Sequence, residues 1–246
     1  MASPLEPADN AGASQTGTPL AGAGGSAVSR TVQISLDVST IDEALQLAGI
    51  AARAGVDWLE AGTGLLFLNG IAAIRALRRH YPDHPIVADM KVADGGYYFG
   101  RMVAEAGATH LDVLAAAHPA TLEGAVRAAA EFGLTILGDL MLSPDPVAAA
   151  RRLQALGVHY AMLHLGAEHR RRNPELSALD DLDAVRQAVT IPIQVVGGLS
   201  VEQAVQAARR GAQSIVLGGP LVPGDGGAGL EAALREVVER VKALPP

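Results

Sequence analysis

From Thr31 onward the chain alternates short runs rich in Val, Ile and Leu with longer Ala-rich stretches whose apolar positions recur at helical spacing. The short runs are QISLDV (33–38), DWLEAG (57–62), PIVADMKV (85–92), THLDVLAA (109–116), TILGDLM (135–141), YAMLHLG (160–166), PIQVVGG (192–198) and SIVLGG (214–219). Each precedes an amphipathic stretch, so the pattern predicts eight strand–helix units. Cap chemistry agrees. Thr40 stands ahead of Asp42 and Glu43, and Ser200 ahead of Glu202 and Gln203, where a side-chain oxygen can accept from the free amides of a first helical turn. Gly55, Gly107, Gly133, Gly157 and Gly211 follow the helical stretches, where a left-handed residue ends a helix. Eight units in about 216 residues suit a closed (β/α)8 TIM barrel. An open, doubly wound sheet also alternates strands with helices, but it requires neither eight units nor two late glycine turns.

Residues 1–30 break the pattern. They are built from Ala, Gly, Ser, Pro and Thr, with almost no large side chain to offset the entropy of ordering. The expected organisation is a disordered tail over 1–30 and one barrel domain over 31–246.

Composition then removes several chemistries. The chain has no Cys, which excludes disulfides, thiolate nucleophiles, iron–sulfur clusters and Cys-bound zinc. A formal charge of −7 argues against a nucleic-acid partner, which requires a dense basic face. No apolar run approaches the ~18 residues of a membrane span, and the N-terminus lacks a secretory pattern, so a cytoplasmic protein is expected.

In a barrel, polar residues at the C-terminal strand ends carry the chemistry. Asp37, Glu60, Asp89, Lys91, Asp139 and His164 all fall there. So many ionisable groups among Val, Ile and Leu would be costly unless they pair, bind a metal or face a polar cavity. ADMKVADGG (88–96) is the most informative stretch. Strand alternation aims Asp89 and Lys91 at one face, with Asp94 in a loop freed by Gly95 and Gly96. The chain has 17 Arg and two Lys, which sets Lys91 apart from the solubilising cations, although a structural ion pair gives the same pattern. As a Schiff-base nucleophile Lys91 would need a neutral amine. Flanking carboxylates favour the ammonium instead, hence a cation beside developing negative charge.

Glu60 and Asp89 lie on adjacent strands and offer hard oxygen ligands suited to Mg²⁺, unless Glu60 merely neutralises Lys91. His164 ends strand 6 in polar surroundings that favour a cavity role over a structural one; His110 and His118 are ambiguous. Gly197-Gly198 and Gly218-Gly219 close strands 7 and 8, where barrels bind phosphate through backbone amides, so a phosphorylated small-molecule substrate is expected. Arg170, Arg171 and Arg172 follow His164 and either reach that phosphate or form a solvated basic loop.

The ordered set LDV (36–38), LEAGTG (59–64), ADMKVAD (88–94), GDL (138–140), HLG (164–166), VGGLS (196–200) and GGP (218–220) resembles the orotidine monophosphate decarboxylase suprafamily. Its nearest branch contains 3-hexulose-6-phosphate synthase and 3-keto-L-gulonate-6-phosphate decarboxylase. The resemblance implies that Glu60 and Asp89 bind Mg²⁺, that Lys91 and Asp94 stand beside the substrate, and that Asp37 and Asp139 contact its hydroxyls while His164 moves protons. It also implies a homodimer in which Asp94 reaches the neighbour's site. Ala167 and Gly219 stand where the decarboxylase has Arg, which leans toward the synthase. Gly64, Asn69, Ala115 and Glu168 depart from the synthase pattern. The implied reaction condenses ribulose 5-phosphate with formaldehyde through an enediolate. The alternatives are decarboxylation or another sugar-phosphate lyase step and, from a different class, a non-catalytic phosphosugar-binding barrel.

Overall fold

The computed structural model describes residues 30–219 and 228–245. Eight parallel strands close in sequence order, with β8 pairing back onto β1, which is the expected (β/α)8 barrel. The strands are β1 (Thr31–Leu36), β2 (Trp58–Ala61), β3 (Ile86–Val92), β4 (His110–Leu114), β5 (Thr135–Asp139), β6 (Tyr160–His164), β7 (Ile193–Val196) and β8 (Ser214–Leu217). Most end one or two residues before the apolar run does, because the chain leaves the ladder to form the loops at the barrel mouth. The tail expected over 1–30 lies, apart from Arg30, outside the described residues.

Ten helices are described: α1 (Ile41–Ala54), α2 (Thr63–Asn69), α3 (Ala72–His80), α4 (Gly96–Ala106), α5 (Pro119–Phe132), α6 (Pro146–Ala155), α7 (Ala167–Arg172), α8 (Leu182–Ala188), α9 (Val201–Arg209) and α10 (Ala228–Lys242). Two crossovers hold a helix pair where the pattern predicted one stretch. Gly70, at φ 60°, separates α2 from α3, and Pro174 follows the end of α7, where its missing amide and the restriction on Asn173 stop a helix. Thr40 and Ser200 both form reciprocal capping boxes, with Glu43 and Gln203.

Strand alternation sorts side chains between two cores. Residues such as Ile34, Leu59, Ile86, Leu111, Ile136 and Ile215 face the helices and join one buried apolar layer. Inside the barrel, Trp58, Val87 and Leu137 pack with Tyr160 as an apolar floor. Polar side chains share the interior with it: Gln33, Glu60, Asp112, Gln194 and Ser214 are all buried.

Candidate active site

The Asp89–Lys91 segment is not a regular strand. β3 pairs Ala88 with Leu111 and then Val92 with Val113, so two extra residues bulge out between them. Within the bulge Lys91 has φ 45°, the only described non-glycine residue at positive φ. A long side chain in this region of φ/ψ space is strained and persists only when its surroundings hold it. Here the hold is electrostatic. Lys91 Nζ lies 2.7 Å from Asp89 Oδ1, 3.4 Å from Asp112 Oδ2 and 3.6 Å from Asp139 Oδ2. Burial works against its charge, but Asp112, Asp89 and Asp139 outweigh it and hold the ammonium well above the ordinary lysine range.

Glu60 sits on the inward face of β2 and is buried. Ser35 donates to its Oε1 at 2.6 Å and Gln33 to its Oε2, while Gln194 donates to Gln33 and to Ser214 at 2.9 Å each. Burial, and next the nearby Asp89 charge, push the Glu60 carboxyl up to about 8. Asp89 goes the other way. Burial opposes its charge, yet hydrogen bonds and charge from Asp112, Lys91 and Thr63 bring it to about 2. Thr63 donates to Asp89 Oδ2 through its hydroxyl at 2.5 Å and its amide at 3.2 Å. Asp37 follows β1, is exposed, has its Oδ2 2.9 Å from Ser35 Oγ, and rests against Gly62, where a Cβ would come within 2.2 Å of its Oδ1.

Asp37, Glu60, Asp89 and His164 line one cavity of about 150 Å³ together with both glycine turns. Among the described residues, no group of three or more His, Asp or Glu side chains is arranged around a metal position. Mg²⁺ does not require one. It is commonly held by one or two carboxylates, with substrate and water completing the shell. Glu60 and Asp89 fit that requirement by donor type, and a bound cation would offset the burial and the Asp89 charge that together raise Glu60.

His164 ends β6, and its Nδ1 lies 2.9 Å from Asp139 Oδ2. Asp139 Oδ1 accepts from the Met141 amide at 2.8 Å. Asp139 is fully buried and lies behind His164, so its oxygens face the imidazole, Lys91 and backbone rather than the cavity. His110, ambiguous in sequence, is structural: it stacks on Trp58 at 4.2 Å in the barrel floor, and burial lowers it to about 4. His118 caps α5 through the Ala120 amide.

Asp112 was not among the sequence candidates. It lies inward on β4, 1% exposed, with Oδ1 accepting from no described residue. Burial, and then the charges of Asp139 and Asp89, raise it well above the ordinary carboxylate range. Alternation in HLDVL already aimed it inward, but one acid mid-strand carries no signal until the neighbouring strands are in register.

Asp94 stands apart from this cluster. It is exposed, accepts from Gly95 N at 2.7 Å and Thr121 Oγ1 at 3.4 Å, and does not line the cavity of its own chain. The loop is anchored by close packing of α4 on α5. A Cβ at Gly96 would lie 2.0 Å from the Thr121 carbonyl oxygen, and one at Gly100 2.6 Å from Ala128. The glycine turns after β7 and β8 do face the cavity, as does Arg170, while Arg171 and Arg172 are exposed.

The family model described as orotidine 5'-phosphate decarboxylase / HUMPS family matches residues 30–226. The 3-hexulose-6-phosphate synthase of Mycobacterium gastri is 32% identical over 206 residues, covering 84% of this chain and 97% of that protein. A 3-keto-L-gulonate-6-phosphate decarboxylase of Escherichia coli is 36% identical over 141 residues, covering 56% of this chain and 61% of that protein. Among solved structures, 3-hexulose-6-phosphate synthase from Salmonella typhimurium aligns with a TM-score of 0.80 at 26% identity, covering 86% of this chain and 98% of that one.

Proposed function

This chain belongs to the orotidine 5'-phosphate decarboxylase / HUMPS family, and from that premise we propose that it is a carbon–carbon lyase of the 3-hexulose-6-phosphate synthase type, condensing ribulose 5-phosphate with formaldehyde. The carrying observation is a single cavity onto which a carboxylate-oriented imidazole, two buried metal-type carboxylates and two glycine turns all open. Glu60 and Asp89 would hold Mg²⁺, which when bound supplies Lewis-acid stabilisation of an oxyanion.

The chain's own groups supply the rest. A carboxylate at Nδ1 leaves His164 Nε2 free to take the proton from C1 of ribulose 5-phosphate. The enediolate carbon then attacks the carbonyl carbon of formaldehyde. One carbon–carbon bond forms, and the new oxyanion takes a proton to become a hydroxyl. Lys91, fixed as an ammonium, stands beside the charge that develops. Asp139 acts through His164.

Ala167 supports the synthase over the decarboxylase reading, because it lines the cavity where the decarboxylase branch carries Arg. The homodimer reading draws on a different surface. Phe67 and Leu68 of α2 are 84% and 67% exposed, and Tyr98 of α4 is 60% exposed. Both helices follow neighbouring strands at the barrel mouth, and large exposed apolar side chains there mark an interaction face. Asp94, beside Tyr98 and outside its own cavity, would reach the partner's site.

Incubation with ribulose 5-phosphate, formaldehyde and Mg²⁺ tests the reading. The expected result is equal loss of both substrates and appearance of a hexulose 6-phosphate. No consumption of either overturns it, and CO₂ release from 3-keto-L-gulonate 6-phosphate alone would identify the decarboxylase.

A further inference from the structure

A phosphate bound at the β7 and β8 turns needs positive charge nearby, because the same cavity is lined by Asp37, Glu60 and Asp89. Backbone amides supply part of it. The amides of Gly197, Gly198, Gly218 and Gly219 donate to no described residue. The loop after β8 adds no cation, since residues 219–227 read GPLVPGDGG, and the turn after β7 is equally bare until Arg209 at the far end of α9. Lys91 is engaged by three carboxylates deeper in the barrel.

Arg170 fills the gap. Of the three consecutive arginines in α7, the helical advance of about 100° per residue turns only one toward the barrel mouth. Arg170 is half-buried and lines the cavity; Arg171 is exposed and pairs with Glu168 at 2.7 Å. Arg170 has no ion pair or side-chain hydrogen bond among the described residues. Its guanidinium lies directly against the first glycine turn: a Cβ on Gly198 would fall 1.4 Å from Nη1 and 2.1 Å from Cζ. Gly198, at φ 65°, thus serves both the turn and the room for this side chain.

We infer that Arg170 is the phosphate-binding cation of this site, closing over the glycine turns from α7 and selecting for phosphorylated sugars. This rests on the functional reading above, since it takes the phosphate of a sugar phosphate as the ligand. A guanidinium offers two parallel donors to phosphate oxygens, and an ammonium offers only a point charge. The arginine run therefore divides by role, with Arg170 at the ligand and Arg171 in a solvated surface pair.

The test is calorimetric, without turnover, on the full chain with Mg²⁺. Ribulose 5-phosphate, inorganic phosphate and unphosphorylated ribulose are titrated into wild type, Arg170→Ala, Arg170→Lys and Arg171→Ala. Arg170→Ala should weaken both phosphate-bearing ligands by about 30-fold or more and leave ribulose unchanged, with Arg170→Lys intermediate and Arg171→Ala within about twofold of wild type. Arg170 stands at the surface of a short helix, and circular dichroism on the variants checks that the fold is retained. Equal affinity of Arg170→Ala and wild type for ribulose 5-phosphate would overturn the inference and leave the function standing. Failure of wild type to bind either phosphate-bearing ligand would overturn both.

Discussion

His164 Nδ1 sits 2.9 Å from Asp139 Oδ2, and that same carboxylate oxygen lies 3.6 Å from Lys91 Nζ. One buried acid therefore orients the proposed base and helps to hold the proposed cation. The exposed ring nitrogen can act only while Asp139 accepts from the other. Solvent deuterium should enter C1 of ribulose 5-phosphate without any aldehyde present. His164→Ala should slow that exchange by about 10²–10⁴-fold. Asp139→Asn should slow it with little change in KM, because the substrate's contacts stay in place. Unaltered exchange in His164→Ala would remove it as the base.

Lys91 should resist chemistry that needs a neutral amine. Its acidic neighbours Asp112, Asp89 and Asp139 hold the ammonium, so borohydride added with substrate should leave no adduct detectable by mass spectrometry. A reduced adduct on Lys91 would replace the enediolate mechanism with a Schiff-base one.

Metal affinity should depend on pH through Glu60. Its carboxyl is raised to about 8 and must ionise to ligate, so below that pH the Mg²⁺ needed for half-saturation should climb by up to about tenfold per unit. Chelation should abolish activity, Mg²⁺ should restore it, and Glu60→Gln should lose the restoration. Mn²⁺ binding followed by electron paramagnetic resonance gives the same profile without turnover. Full activity in excess chelator would exclude the metal.

Burial and the charges of Asp139 and Asp89 favour the protonated form of Asp112, so an amide should replace it well. Asp112→Asn can still donate to Asp89, and activity should stay within about tenfold of wild type with the melting temperature nearly unchanged. Asp112→Ala removes that donor and opens a cavity, costing about 1–3 kcal/mol in denaturant unfolding. A collapse of activity in Asp112→Asn would mean that its charge is used.

His110 should make the fold acid-sensitive. Its folded pKa is lowered to about 4 from an ordinary 6.5, so in this interval the unfolded chain takes up a proton that the folded chain refuses. The stability it protects is complete above about pH 6.5 and declines toward pH 4, by up to about 3 kcal/mol. His110→Gln should flatten that decline in urea unfolding curves collected across the interval.

The shared-site proposal has its own test. Lys91→Ala and Asp94→Ala homodimers should each be nearly inactive. Refolding them together should restore about a quarter of the sites, because each heterodimer joins one doubly altered site to one intact site. No recovery would confine Asp94 to its own chain.

Much of this protein follows from local pattern. All eight strands, the capping boxes of Thr40 and Ser200, and the strand-end positions of Glu60, Asp89, Asp139 and His164 are legible because alternation and caps are properties of neighbouring residues. What the tertiary structure decided concerns residues distant in sequence. Asp112 became part of the Lys91 cluster only when β3 and β4 paired around a bulge, and the same bulge put Lys91 at φ 45°, which regular alternation does not foresee. Asp139 was expected at the substrate and lies behind His164, because β5 and β6 bring those two side chains together. Arg170 and Arg171 are adjacent and chemically identical, yet one lies on a glycine turn and the other beside Glu168 in solvent. Sequence sets which side chains exist and how each segment is faced; ring closure, which pairs β8 with β1, sets which of them share a cavity.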